Sequence, residues 1–288
     1  MACRRLKVGR ALVHIVDDGQ MWMDAGGMFG VVPKRLWSQI TTADAENRVP
    51  LALRCLLIES QGRRILVDTG YGDKLTPRVR EILGFEPDDR DRLLRSLGAA
   101  GFGPDDVDIV LNTHLHGDHC GGNTRWTDGP GSPVIPTFPR AVYWVQRLEL
   151  ADASFPNERT RGAYFAENFQ PLQQANRLHM IDGDVWLTDE VHTWITPGHT
   201  RAHQCVVIES EREAAIFLAD AAPWAVNLER LAWVPAYDIE PLVSIQTKKQ
   251  IIAWAAHHRA WLIFQHDPRI DVGHLAPADE GWQVVPLD

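Results

Sequence analysis

The sequence predicts an α/β fold in which the functional residues lie where strands end, outside the sheet. Segments with the apolar pattern of strands alternate with segments of helical spacing along most of the 288 residues. Four of the predicted strands end next to a residue that can bind a metal: His114, His199, Asp220 and His266. These observations predict one site assembled from separate strand ends.

In the first half of the chain, we predict a strand over residues 6–16 that ends in a turn at 17–19. Residues 51–59 and 63–68 have strand patterns on either side of Ser60-Gln61-Gly62, which predicts a hairpin that brings Asp68 to a strand end. Helical spacing is seen over residues 76–83 and 89–100, and a strand follows at 107–111.

In the second half, we predict a loop at 129–139, a strand at 141–145, helices at 146–153 and 160–176, and short strands at 178–181, 185–187 and 191–196. A hairpin at 204–209 and 214–218, a helix at 241–258 and a final strand at 261–264 complete the pattern. No linker divides the sequence, so we expect one domain over residues 1–288.

Residues 20–50 have no regular period and carry large apolar side chains, among them Met21 and Phe29. Two interpretations remain open. The segment is either a long connection packed on the core or a loop that lines a substrate mouth or a subunit contact, as in a homodimer.

The composition excludes several classes of protein. An apolar share of 45% and a charged share of 23% are those of an ordinary globular domain. The formal net charge of −9 argues against a nucleic-acid partner. No stretch approaches the roughly 18 apolar residues that span a membrane, so no membrane partner is expected.

The cysteines favour a reducing compartment. They lie far apart in the sequence, which predicts neither a disulfide framework nor a thiolate zinc site: Cys3, Cys55, Cys120 and Cys205. The apolar run at 11–16 contains His14 and stops at an acidic pair, so we interpret it as a strand rather than an export signal. We therefore expect a cytoplasmic protein.

Three imidazoles and a carboxylate lie within six residues after the strand predicted at 107–111: His114, His116, Asp118 and His119. Neutral imidazole and carboxylate are the ligands of zinc in catalytic sites, and a short turn after a strand can direct several of them at one point. For the whole string, coincidence is on the order of one in a thousand in a chain of this size. The sequence therefore predicts a metal site here.

Further motifs extend this pattern. They are Asp68-Thr69-Gly70, Thr196-Pro197-Gly198-His199-Thr200, and Asp220 and His266 after their strands. Together with the central motif, in this order and spacing, they make the chain resemble the metallo-β-lactamase superfamily over nearly its whole length. The resemblance implies an αβ/βα sandwich of four layers, with two mixed β-sheets face to face, helices outside and the metals at one edge.

The resemblance also implies a set of ligands for two zinc ions. One ion would be held by His114, His116 and His199, the other by Asp118, His119 and His266, with Asp220 as the bridge. Chemistry supports this division, because a bridging carboxylate holds two cations about 3.5 Å apart and a hydroxide between them is available at neutral pH. Manganese, iron or cobalt would also suit these nitrogen and oxygen ligands.

Other roles follow from the same reasoning. Asp118 and Asp220 are the expected catalytic carboxylates, with Asp118 assisting proton transfer. Asp68 either orients a ligand imidazole or forms a turn, and both interpretations remain open. His203 is expected to be structural. The expected pocket residues are Met21, Phe29, Tyr164, Trp224, Trp233 and Tyr237, although core packing is the more common role of such tryptophans.

The ligand set resembles that of lactonases, glyoxalase-type thioesterases, RNase Z-like nucleases and organophosphate hydrolases. The length and the early Met- and Trp-rich segment resemble the quorum-quenching lactonase and parathion-hydrolase-like branches. This implies hydrolysis of a small ester or lactone, such as an acyl-homoserine-lactone-like substrate. Well-known lactonases have a tyrosine three positions after the bridging aspartate, where this chain has Pro223. Tyr164 or Tyr237 would then stabilise the oxyanion, or the metal alone would polarise the carbonyl.

Two alternatives to a lactonase remain. The chain could be a thioesterase or phosphotriesterase of the same superfamily, which would share the metal centre. It could also be a non-catalytic metal-binding sensor, in which the metal would be coordinatively closed.

Overall fold

The computed structural model describes residues 4–85 and 91–287. Its strands, in chain order, are β1 (Arg4–Val8), β2 (Ala11–Asp24), β3 (Arg48–Ser60), β4 (Arg63–Val67), β5 (Ile109–Leu111), β6 (Thr124–Trp126), β7 (Val134–Pro136), β8 (Val142–Gln146), β9 (Leu178–Ile181), β10 (Val191–Ile195), β11 (Gln204–Ser210), β12 (Glu213–Phe217), β13 (Trp261–Ile263), β14 (Val272–Pro277) and β15 (Trp282–Pro286).

The α-helices are α1 (Ala25–Phe29), α2 (Lys34–Trp37), α3 (Pro77–Ile82), α4 (Arg92–Ala99), α5 (Gly117–Cys120), α6 (Arg147–Ser154), α7 (Gln170–Gln174), α8 (Val226–Glu229) and α9 (Pro241–His258). Single 3₁₀ turns occur at Pro104–Asp106, Gly121–Asn123, Ala166–Asn168 and Ala219–Ala221. In the part of the chain that the structure describes, no helix is long and apolar enough to cross a membrane.

Two large sheets form the framework. The first has the strand order β1-β2-β3-β4-β5-β8-β9, antiparallel from β1 to β4 and parallel from β4 to β9. The second has the order β10-β11-β12-β13-β14-β15, in which β12 and β13 are parallel and the other neighbours antiparallel. Both sheets are therefore mixed, and β6 and β7 form a separate small pair.

The sheets pack face to face through alternate apolar residues of their strands. Leu56 and Ile65 of the first sheet belong to the same buried cluster as Val206 and Phe217 of the second. Helices cover the outer faces: α9 contributes Ile251 and its neighbours to a cluster on the second sheet, and α4 contributes leucines to one on the first. This αβ/βα arrangement confirms the predicted fold class.

Several predicted elements are confirmed. The hairpin of β3 and β4 turns at Gln61 and Gly62, both of which have positive φ (50° and 75°), the geometry of a tight turn that matches strand twist. The hairpin of β11 and β12 and the helix at 241–258 are also present as predicted. The helix predicted at 89–100 begins at Arg92, and residues 89–90, like Cys3, lie outside the described residues.

The start of the chain differs from the prediction. Residues 6–16 belong to two strands, β1 and β2, that reverse at Gly9 with φ 58°. The turn predicted at 17–19 is instead an irregularity inside β2, where the pairing with β3 shifts between Asp17 and Gln20. The polar residues that suggested a turn are tolerated here because Asp18 is buried and accepts backbone hydrogen bonds from Tyr71 and Leu93.

Four other predictions were wrong. The helix at 160–176 is replaced by a 3₁₀ turn and the short α7, because Pro171 cannot occupy a helix interior and instead lies in the first turn of α7. The loop at 129–139 contains β7, and the strand at 185–187 is a single bridge between Trp186 and His192. The strand at 261–264 is not the last, since β14 and β15 extend the second sheet.

Candidate metal centre

Four strand ends bring the predicted metal residues to one edge of the sandwich. His114 and His116 follow β5, and α5 adds Asp118 and His119 directly afterwards. From the second sheet, His199 follows β10, Asp220 follows β12 and His266 follows β13. The seven side chains form two groups in which the ligand atoms all lie within 4.8 Å of one another.

The first group contains His114, His116, His199 and Asp220. Nδ1 of His116 lies 3.0 Å from Nε2 of His114 and 3.0 Å from Nε2 of His199. Oδ2 of Asp220 lies 3.1 Å from Nε2 of His199 and 3.9 Å from Nε2 of His114. Three ring nitrogens and one carboxylate oxygen therefore converge.

The second group contains Asp118, His119 and His266. The Nε2 atoms of the two histidines are 3.3 Å apart, and Oδ2 of Asp118 lies 3.6 Å from each. Oδ1 of Asp220 lies 3.0 Å from Nε2 of His266 and 3.5 Å from Nε2 of His119. The two oxygens of Asp220 thus face different groups, as a bridging carboxylate requires.

The side chains fit divalent cations. Oδ1 of Asp220 is buried and has no hydrogen-bond partner among the described residues, although two ring nitrogens lie near it. Ring nitrogens that crowd together in this way cannot all satisfy one another as donor and acceptor, whereas a cation can be their common partner. Imidazole and carboxylate are also the donors that zinc and similar metals take in open, catalytic sites.

Burial and neighbouring charge prepare these groups for metal binding. Burial lowers the pKa of His114 and of His116 well below the usual value, which favours the neutral rings that bind metal. Burial alone would raise the pKa of Asp220, but the rings of His199, His119 and His266 outweigh it and hold this pKa well below its usual range. Asp220 is therefore an anion between the two groups.

A set of acceptors fixes the orientation of the rings. Nδ1 of His119 lies 2.9 Å from Oδ2 of Asp68, and Nδ1 of His266 lies 2.8 Å from the carbonyl oxygen of Ala52. Nδ1 of His199 lies 3.0 Å from Oδ1 of Asp238. Each contact occupies the nitrogen that points away from the group, so the other nitrogen is directed into it.

Asp68 combines both roles that its sequence position suggested. Its backbone has φ 58°, and its carboxylate accepts hydrogen bonds at 2.8 Å from the backbone N–H and the hydroxyl of Thr113. The same carboxylate contacts His119. The turn and the orientation of the imidazole therefore depend on one buried side chain.

His203 lies outside both groups. Its Nδ1 contacts the Thr196 hydroxyl at 2.8 Å, and its Nε2 accepts a hydrogen bond at 3.2 Å from the backbone N–H of Asp220. It therefore supports the position of the bridging aspartate.

Two buried acids at the site were not predicted. Asp238, which contacts His199, lies in a loop before α9. Glu149 of α6 contacts the turns next to the ligands. Neither lies in a motif, and their partners are distant in sequence, so no local pattern indicated them.

Four of the predicted pocket residues pack together in the core. Met21, Phe29, Trp224 and Trp233 belong to one buried cluster, and the ring of Phe29 meets those of Trp224 and Trp233 edge to face at 5.6 and 6.0 Å. Met21 and Trp224 are fully buried, which is the core-packing role rather than an exposed pocket wall. Part of the segment at 20–50 therefore packs against the chain that follows Asp220.

The two predicted pocket tyrosines differ. The hydroxyl of Tyr164 donates to Glu149 at 3.1 Å, and its ring lies 4.9 Å from that of His116. Tyr237 is 45% exposed, and its hydroxyl lies over Gly27, where a Cβ atom would come within 2.1 Å of it. Of these two hydroxyls, that of Tyr164 is already committed to a hydrogen bond with a buried side chain.

Comparison with known proteins places this geometry in a family. Residues 49–230, more than half of the chain, match the model of the metallo-beta-lactamase superfamily. An N-acyl homoserine lactonase of Bacillus cereus is 26% identical over 256 residues, which are 85% of this chain and 90% of that protein. The N-acyl homoserine lactonase AttM of Rhizobium radiobacter is 25% identical over 239 residues, 78% of this chain and 84% of that protein.

Solved structures show the same fold. A probable metal-dependent hydrolase from Staphylococcus aureus has a TM-score of 0.87 and 28% identity, covering 97% of this chain and 96% of that one. AidC, a dizinc quorum-quenching lactonase, has a TM-score of 0.80 and 20% identity, covering 100% and 98%. With two groups of metal-binding side chains at the edge of a four-layer sandwich, the chain is a metal-binding hydrolase and belongs to the metallo-β-lactamase superfamily.

Proposed function

We propose that the chain is a dinuclear, zinc-dependent hydrolase that opens a small lactone, such as an acyl-homoserine-lactone-like substrate. The observation that carries the proposal is the placement of Asp220, whose two oxygens lie 3.1 Å from His199 Nε2 and 3.0 Å from His266 Nε2, one in each group. The curated relatives named above are N-acyl homoserine lactonases, which supports the choice of bond.

The proposed ligand set is that of the two groups. His114, His116 and His199 would hold one ion, Asp118, His119 and His266 the other, and Asp220 both. Two such cations supply Lewis acidity for the substrate carbonyl and lower the pKa of bound water from about 15.7 to near 7.

A side chain of the protein would then carry out the proton transfer. Asp118 is the expected acid–base residue, because its carboxylate belongs to the second group and its side chain, though largely buried, keeps 12% of its surface exposed. As a carboxylate, it takes a proton from the attacking water and passes it to the ring oxygen that leaves when the carbonyl–oxygen bond of the lactone breaks. The product is the open hydroxy acid, so atoms and charge balance.

The oxyanion that develops on the substrate carbonyl would be stabilised either by a hydrogen-bond donor in addition to the metals or by the metals alone. Since the hydroxyl of Tyr164 donates to Glu149, we favour Tyr237, whose ring is partly exposed and whose pKa is raised by burial and by the nearby carboxylates of Asp24 and Asp118. The segment at 20–50, which packs against Tyr237 through Gly27, would border this pocket or a contact with a second copy.

The test is a substrate panel. Purified, metal-loaded protein is assayed against lactone, thioester, phosphotriester and phosphodiester substrates, with chelated and reloaded protein as the matched control. We expect lactone opening that disappears on chelation and returns on reloading. Preference for a thioester or phosphotriester would reassign the substrate class, and silence across the panel would favour a metal-binding sensor.

A further inference from the structure

Glu149 is a buried acid that belongs to neither metal group. It lies in the first turn of α6, and none of its surface is exposed. A buried acid needs donors that compensate for the loss of water. Two of the three donors that Glu149 uses belong to the turns that carry His114, His116 and His199.

Three hydrogen bonds reach the carboxylate. Oε1 accepts from the backbone N–H of Leu115 at 3.0 Å and from the hydroxyl of Tyr164 at 3.1 Å. Oε2 accepts from the hydroxyl of Thr200 at 2.6 Å. Burial raises the pKa of Glu149, and the donors from Thr200, Leu115 and Tyr164 offset part of this rise.

These donors connect two separate turns. Leu115 lies between His114 and His116 in the turn after β5, and Thr200 follows His199 in the turn after β10. One carboxylate therefore joins the segments that supply every imidazole of the first group, although the segments come from different sheets. The ring of Tyr164, 4.9 Å from that of His116, adds a contact on the side of the same group.

We propose that Glu149 is a positioning residue for the first metal, holding the Leu115 and Thr200 turns so that His114, His116 and His199 converge on one ion. This inference rests on the two-metal centre proposed above. Groups that orient metal ligands through such contacts commonly change metal affinity 10- to 100-fold when they are altered.

The substitution Glu149→Gln tests it. Glutamine keeps one oxygen for Leu115 and Tyr164, but its amide nitrogen cannot accept from Thr200. Zinc affinity is measured by competition with a chelator, metal content by mass spectrometry, and ligand geometry by the absorption spectrum of the cobalt-loaded protein. We expect one of two ions to bind about 10- to 100-fold more weakly, with an altered cobalt spectrum and little change in the other ion.

Asp182→Asn is the matched control. Asp182 is exposed and pairs with Arg147, in the first turn of the same helix as Glu149, rather than with the turns after β5 and β10. It removes the same charge and should leave both affinities unchanged. Thr200→Val removes one of the three hydrogen bonds to Glu149 and should lower the affinity for the same ion by a smaller factor. This second variant keeps the proposal testable if Glu149→Gln does not fold.

The outcomes separate the two proposals. If Glu149→Gln and Thr200→Val both bind two ions with wild-type affinity and spectrum, the proposed role of Glu149 is overturned and the two-metal proposal is not. The same holds if the only effect of the substitutions is a lower Tm of the metal-free protein. A wild-type protein that binds one ion would overturn the two-metal proposal, and the role of Glu149 would then be decided by whether Glu149→Gln weakens that ion.

Discussion

The carboxylate of Asp68 contacts Nδ1 of His119 at 2.9 Å while it accepts two hydrogen bonds from Thr113. Because an ionised carboxylate only accepts, this contact places the hydrogen of the imidazole on Nδ1 and leaves Nε2 available to a metal. The residue that follows β4 therefore sets the orientation of the His119 ring on α5.

The substitution Asp68→Asn should lower the affinity of the second group, which contains His119, for its metal ion. Asparagine can still accept from the backbone of Thr113, but an amide group is a poorer partner for His119. We expect about 10- to 100-fold lower affinity for one ion by chelator competition. Asp106→Asn, which alters an exposed acid paired with Arg64, is the control. Equal affinities in the three proteins would show that Asp68 serves only the turn.

Replacement of the bridging residue should have a larger effect. Asp220→Ala removes the oxygens that face both groups, so we expect loss of one ion and turnover lowered at least about a hundredfold. Metal content and activity are measured on the same sample, with Asp182→Ala at an exposed position as the control. Undiminished activity in a variant that contains at most one ion would reject the two-metal mechanism.

Tyr237→Phe tests the source of oxyanion stabilisation. Removal of one such donor typically costs about 100- to 1000-fold in kcat, so we expect a decrease toward that range with unchanged metal content. The decrease should appear in kcat rather than KM, because the interaction forms in the transition state. If kcat stays at the wild-type value, polarisation by the metals alone is the better explanation.

The stability of the protein should depend on pH through Asp18. Burial raises the pKa of this carboxyl from 3.8 to about 7, although Arg92 acts in the opposite direction. The folded state therefore binds more protons than the unfolded state between these values, and the contribution of Asp18 to stability falls as pH rises through this window.

Chemical denaturation at pH 5 and pH 8 measures this effect. The difference in the free energy of unfolding between these pH values should be smaller in Asp18→Asn than in the wild type, because asparagine does not titrate. An identical difference in both proteins would mean that Asp18 is charged in the folded state throughout this range.

The sequence predicts the residues that lie in local motifs better than those that support them. His114, His116, Asp118 and His119 are close in sequence, and His199, Asp220 and His266 each follow a strand that has a clear apolar pattern. The structure brings all seven together. Their exact assignment to two ions remains a prediction.

Supporting residues could not be found in the same way. Asp238 contacts His199 from 39 positions away, and Glu149 contacts Leu115 and Thr200 from 34 and 51 positions away. Such contacts depend on how the sheets pack, which leaves no period in the sequence. The same reason explains why the sequence could not assign Trp224 to the core. A large apolar side chain suits a pocket wall and a core equally well, and only its neighbours in the fold distinguish the two.

Each metal group takes side chains from both sheets. The first combines His114 and His116, which follow β5, with His199 and Asp220 from the other sheet, and the second combines Asp118 and His119 with His266. Bound ions would therefore act as cross-links between two layers that also share a buried apolar cluster and hydrogen bonds such as that from Arg54 to the carbonyl oxygen of Asp267. A ligand that binds only the folded state adds about 4 kcal/mol to the free energy of unfolding at a concentration a thousand times its Kd. The stability of the contact between the two sheets should therefore depend on the supply of metal.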